Sequence, residues 1–91
     1  MTEKQIEQKL KEEVEKLGGL CWKFVSPGNI GVPDRLVIHE GKVIFVELKA
    51  SNGKVRPTQR LRLRQLKRRG MKVAVISSYK EIDEFIEKLR R

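Results

Sequence analysis

Apolar residues along this chain change spacing several times, and each change marks an element. Ile6, Leu10, Val14 and Leu17 recur every three or four positions, which predicts a helix. Thr2 and Gln5 stand ahead of that run at capping-box spacing, and Gly18-Gly19 closes it. Leu20 to Val25 is short, apolar and aromatic, so it predicts a strand. Ser26 to Pro33 is a loop rich in turn formers. Two further strands follow, Asp34 to His39 and Lys42 to Lys49, with Glu40-Gly41 as the hairpin turn. Leu36, Ile38, Val43 and Phe45 fall on one face of this pair. Val37, Ile44, Val46 and Leu48 fall on the other. Apolar side chains on both faces predict a sheet covered on both sides.

Ala50 to Arg56 is a polar loop, and Pro57-Thr58 opens a second helix that stops at Gly70. Arg60-Leu61-Arg62-Leu63-Arg64 alternates as a strand would. The length of the segment, its helix-forming residues and its Pro and Gly brackets favour helix. Lys72 to Ser77 has the character of a buried strand. Ser78 and Glu81 form another capping box, and Ile82, Phe85, Ile86 and Leu89 give a last helix its apolar stripe. The predicted order is α-β-β-β-α-β-α, an α/β fold with a central mixed four-stranded sheet flanked by helices. The strand–helix–strand step through the second helix should be a right-handed parallel crossover. No repeat, linker or low-complexity segment breaks the chain, so one domain over residues 1–91 is expected.

The 91 residues supply one modest core, near the lower limit for a self-sufficient fold, and a second subunit would help. The net charge is +9. It is unevenly placed, because no Asp or Glu lies between Glu47 and Glu81. A one-signed block of this kind is an electrostatic footprint for a polyanion such as DNA. Arg60, Arg62, Arg64, Lys67 and Arg68 have no acidic neighbour within their helix, so they are expected to contact phosphates, with Lys54 and Arg56 extending the track. The single cysteine, Cys21, excludes an internal disulfide and a cysteine-based zinc site. There is no signal-peptide pattern and no apolar run long enough to span a bilayer. A cytoplasmic protein with no membrane partner is the expectation.

The candidate chemistry lies on the hairpin. Glu47 and Lys49 are two apart on one strand and therefore share a face. If Glu40-Gly41 is a two-residue turn, His39 pairs with Lys42, and counting outward sets Asp34 across from Glu47. Their Cβ atoms would then be about 4.5–5.5 Å apart. A bulged turn would shift this register by one. Two carboxylates so placed repel by about 3 kcal/mol at ~5 Å and an effective dielectric of about 20. A hard divalent cation reverses that sign, and Mg²⁺ prefers carboxylate, carbonyl and water oxygens. Asp34 and Glu47, with the Leu48 backbone carbonyl between Glu47 and Lys49, are thus candidate metal ligands. Phosphodiester hydrolysis needs a positioned water and charge neutralisation at phosphorus. Lys49 on the same face can orient that water or hold the phosphate.

Pro33-Asp34 followed by Glu47-Leu48-Lys49 resembles the signature of the PD-(D/E)XK nuclease superfamily, whose restriction-endonuclease-like core has a similar element order. More narrowly, the chain resembles the virus-type replication-repair nuclease (VRR-NUC) domain. Glu7 in the first helix, the Gly31-Val32-Pro33-Asp34 run, Glu47-Leu48-Lys49 and Gln59 at the start of the second helix carry that resemblance. It implies a structure-selective DNA endonuclease dependent on Mg²⁺, with Mn²⁺ as a substitute and no organic cofactor. It also implies that Asp34 and Glu47 bind metal, that the Leu48 carbonyl assists and that Lys49 is catalytic. By the same carry-over, Glu7 adds a metal or water contact and Gln59 helps to hold the site. Small stand-alone members are similar to archaeal Holliday junction resolvases and act as homodimers on branched DNA, in phages or bacteria.

Other readings stay open on the residues alone. Glu7 sits among Glu3, Glu12, Glu13 and Glu15 and reads equally as a solvated helix-face residue. Trp22 and Phe24 fit a core, a subunit interface or base stacking. His39, the only histidine, reads as a turn-flanking residue. An endonuclease acting on flaps, bubbles or single strands has the same sequence features. So does a non-catalytic DNA-binding module, or an assembly protein whose basic face meets an acidic partner.

Overall fold

In a computed structural model describing residues 1–91, the first helix, α1 (Glu3–Lys16), begins in the expected capping box. The Gln5 N–H donates to Thr2 Oγ1 at 3.1 Å, and the Thr2 N–H donates to Gln5 Oε1 at 2.9 Å. Gly18, at φ +83°, ends it in a left-handed conformation that costs a glycine little. The strands are β1 (Leu20–Lys23), β2 (Arg35–His39), β3 (Lys42–Leu48) and β4 (Lys72–Ile76). Helices α2 (Pro57–Arg68) and α3 (Tyr79–Arg90) complete the order. The strands stand side by side in chain order, with the first two pairings antiparallel and β3–β4 parallel. That mixed four-stranded sheet is the one the sequence predicts. No helix is long and apolar enough to cross a membrane.

The hairpin turn fixes the register. Glu40 and Gly41 both have positive φ, 45° and 78°, as a two-residue turn of the twist-matching type requires. His39 therefore faces Lys42, Val37 faces Ile44, and Arg35 faces Val46. One sheet face carries Cys21, Val37, Ile44, Val46, Leu48 and Ile76 into the core against α1 and α3. Ile6, Leu10, Val14 and Ile82 there are wholly buried.

The opposite face departs from the expectation of full cover. Only α2 lies on it, next to β4, and a single helix of 12 residues is too narrow for the whole face. Leu63 is buried beneath α2, whereas Leu20, Val43 and Trp22 stay exposed, Trp22 at 56%. Trp22 is therefore not a core residue. Phe24 is half-buried and meets Phe45 edge to face at 5.6 Å. The second capping box also differs. The Glu81 N–H donates to Ser78 Oγ as expected, but Glu81 Oε1 reaches back to the N–H and hydroxyl of Ser77, at 2.7 and 2.9 Å.

The loop between β1 and β2 is clamped to the start of α2. Gly31, at φ +88°, approaches so closely that a Cβ there would lie 2.9 Å from the Thr58 carbonyl carbon and oxygen. Arg62 reaches across from α2, its Nε donating to the Ile30 carbonyl at 2.9 Å. Gly31→Ala should cost at least about 1–2 kcal/mol from the left-handed backbone alone, with the backbone collision added. Denaturant unfolding should show this loss, and an unchanged midpoint would contradict the clamp.

Candidate active site

Beyond the Arg35–Val46 pair, β2 and β3 part, and the residues at that fork form the candidate site. The next hydrogen-bonded pair in the ladder would be Pro33 and Leu48. Pro33 has no N–H, so the Leu48 carbonyl loses its ladder donor. The Leu48 N–H instead donates to Asp34 Oδ2 at 2.8 Å. The Asp34 backbone carbonyl accepts from the Phe24 N–H at 2.9 Å, which ties this residue to the end of β1. Asp34 is thus held across from Glu47, as counting outward from the turn predicts.

Glu47 is 1% exposed. Its Oε2 accepts from Gln59 Nε2 at 2.9 Å and lies 3.4 Å from Lys49 Nζ. Its Oε1 is buried with no hydrogen-bond partner. Gln59 is anchored at its other end, where Oε1 accepts from the Arg56 N–H at 2.9 Å. One amide thereby caps α2 and orients the carboxylate. Burial pushes the Glu47 carboxyl up to about 7, the Asp34 charge adds to that rise, and Lys49 opposes it. A buried acceptor without a donor, beside a second carboxylate and a carbonyl free of its ladder bond, is a donor set that suits a hard divalent cation. No third Asp, Glu, His or Cys joins Asp34 and Glu47.

Other sequence candidates lie elsewhere. Glu7 does not join the carboxylate pair. Its Oε2 accepts from Arg35 Nε at 2.8 Å, and Arg35 Nη1 donates to the Cys21 carbonyl at 3.0 Å. Arg35 sits on the α1 side of the sheet, opposite Asp34, because adjacent strand residues point to opposite faces. This largely buried pair escaped sequence reading, since a charged residue in a strand reads as solvent-facing. Arg62 is likewise committed, to the Ile30 carbonyl and to Gln65 Oε1 at 3.1 Å. Arg60, Arg64, Lys67 and Arg68 are exposed along one side of α2, at i, i+4, i+7 and i+8. Lys54 and Arg56 are exposed in the loop before it. His39 is buried on the α1 side, away from Glu47. A concavity of about 580 Å³ runs along β4 and α3 and includes neither Asp34, Glu47 nor Lys49.

The raised Glu47 pKa carries a sign. The folded state favours the protonated acid more than the unfolded chain does. Its stabilising contribution is therefore fully present below about pH 4.5 and is lost as pH rises through about 7. Glu47→Gln removes the titration. Without divalent cations, the variant should gain stability over the parent between pH 5 and 8, by up to about 3 kcal/mol. Unfolding midpoints across that range measure it, and a difference that does not vary with pH would contradict it.

Comparison with known proteins bears on the same residues. The family model of the VRR-NUC domain matches residues 26–80, a stretch holding Asp34, Glu47, Lys49 and Gln59. The protein named "Putative nuclease p44" of Acyrthosiphon pisum secondary endosymbiont phage 1 is 49% identical over 79 residues, or 86% of this chain and 85% of the phage protein. A solved structure described as a VRR_NUC domain has a TM-score of 0.86 at 37% identity, with 96% of this chain and 97% of the other covered. Sequence and fold agree over nearly the full length, and the chain belongs to the VRR-NUC family of nuclease domains.

Proposed function

We propose that this protein is a metal-dependent, structure-selective DNA endonuclease, acting in the cytoplasm and resolving four-way junctions as a homodimer. The observation that carries the catalytic reading is the buried, partnerless Oε1 of Glu47 beside Asp34. Asp34, Glu47 and the Leu48 carbonyl would hold Mg²⁺, with Mn²⁺ as a substitute. The bound cation supplies charge neutralisation at the phosphate and lowers the pKa of an attacking water. Gln59 keeps the Glu47 carboxylate in one orientation. Lys49 places an ammonium against the same carboxylate, ready to meet the scissile phosphate. Glu7, engaged by Arg35, serves this reading as support for β2 and not as a ligand.

The cationic line on α2 supports binding to the DNA backbone. Arg60, Arg64, Lys67 and Arg68 share one side of the helix whose first turn carries Gln59. Phosphate contacts are sequence-independent, which fits recognition of DNA shape. The uncovered apolar strip supports a second copy. Leu20, Trp22 and Val43 are exposed side by side, with Leu36 and Ile38 half-buried between them. A chain of this size gains a good deal from burying them.

Two measurements test the reading. The parent should cleave a labelled synthetic four-way junction with Mg²⁺ or Mn²⁺ and not with EDTA. Asp34→Asn and Lys49→Ala should each lose at least about a hundredfold in rate. Binding without cleavage in any divalent cation would reduce the protein to a DNA-binding module, and preferential cutting of flaps, bubbles or single strands would move its substrate. For the dimer, light scattering should give twice the chain mass for the parent and a monomer for Trp22→Glu. A monomeric parent, with and without DNA, would end that part of the proposal.

A further inference from the structure

The loop from Ser26 to Pro33 is more constrained than its composition suggests. The Asn29 N–H donates to the Ser26 carbonyl at 3.0 Å, and Asn29 Nδ2 donates to Ser26 Oγ at 2.9 Å. The Ile30 carbonyl is held by Arg62, Gly31 is pressed on the backbone of Thr58 and Gln59, and Pro33 is buried. The backbone is fixed on both sides of Ile30, yet the Ile30 side chain is 78% exposed. Four residues later the same loop delivers Asp34, and the helix that clamps it carries Gln59 and the cationic line.

We infer that Ile30 is a specificity-determining wedge, inserted between bases at a branch point of the DNA substrate. The inference rests on the nuclease reading above and adds what that reading lacks. Phosphates look alike on continuous and branched DNA, so the cationic line alone cannot choose between them. A fixed apolar side chain can. Driving it between stacked bases of a continuous duplex opposes base stacking, whereas a junction already presents an interrupted stack. A mobile loop would lose conformational freedom on insertion, and the bonds to Ser26 and Arg62 remove that cost beforehand. The surrounding charge also selects the occupant. Lys54, Arg56 and Arg60 are exposed at the α2 end of the clamp and favour a polyanion over an apolar protein partner.

The test compares a four-way junction with a linear duplex of the same sequence. Binding is measured in Ca²⁺ or EDTA, so that it reads independently of cleavage. The Asp34→Asn variant runs in parallel as a cleavage control. Ile30→Ser should lower the junction-to-duplex affinity ratio about tenfold, and Ile30→Leu should retain it. With 2-aminopurine beside the branch point, the parent and Ile30→Leu should raise the fluorescence, and Ile30→Ser should not. An unchanged ratio in Ile30→Ser, a parent without junction preference, or a fluorescence rise that survives the serine substitution would each overturn the wedge. A parent that cuts no DNA but shows the ratio and the fluorescence change would keep the wedge and remove the nuclease reading. Light scattering of Ile30→Ser should match the parent, and a monomer would place Ile30 between subunits and also overturn the proposal.

Discussion

The closeness of Asp34 and Glu47 is the constraint on which the arrangement of this molecule turns. It is set at a distance, by the two positive-φ residues of the β2–β3 hairpin. Strand side chains alternate faces, so a register shift of one residue would send one carboxylate into the α1 side. In the observed register both reach the same fork, where burial and the neighbouring Asp34 charge hold the Glu47 carboxyl up at about 7 and Lys49, 3.4 Å away, opposes that rise. Keeping a carboxylate ionised there draws on the small stability a domain of this size has to spare. The fully buried aliphatic core on the opposite face is what lets the scaffold tolerate it.

Backbone chemistry at the fork is as specific as the side chains. A residue with an N–H in place of Pro33 would continue the ladder and occupy the Leu48 carbonyl. Proline stops the ladder, and Asp34 takes over the Leu48 N–H as an acceptor. The strands can then part without leaving that amide unsatisfied. On the other side, β3 runs parallel to β4, so the chain must leave the site by a crossover through α2. The first turn of that helix returns to the site, and Gln59 bonds both its own helix cap and Glu47. A ligand site at the carboxyl end of a parallel strand, beside the crossover, follows from this topology.

Much of this was legible in the residues because it depends on period and counting. Four-residue spacing gave α1, and double-sided alternation gave the hairpin. The turn gave the carboxylate pairing. The features missed are those in which one residue type has two uses. Arg62 stands in a run of arginines and is indistinguishable from Arg60 or Arg64 until the helix turns it toward Ile30. Arg35 occupies a position that alternation assigns to the core, and partners on other elements, Glu7 and the Cys21 carbonyl, make its burial tolerable. Glu81 bonds Ser77 in place of Ser78, a one-residue choice that spacing cannot resolve. The width of α2 against the sheet depends on packing, which is why cover of the second face was overestimated.

The alternating Arg-Leu segment of α2 shows how these levels combine. As a strand it would place Arg60, Arg62 and Arg64 on one face and Leu61 and Leu63 on the other. As a helix it separates them. Leu63 turns inward, Leu61 is left exposed, Arg62 swings to the loop, and Arg60 and Arg64 line up with Lys67 and Arg68. One short segment therefore anchors the sheet, fixes the loop that leads to Asp34 and builds the cationic line. The apolar strip around Trp22 lies on the same sheet face as the carboxylates, beside α2. A second copy seated on that strip would stand next to the site and not behind the sheet. The two-fold axis relating the copies would then also relate two cationic lines and two carboxylate pairs, as symmetric incision of a four-way junction requires.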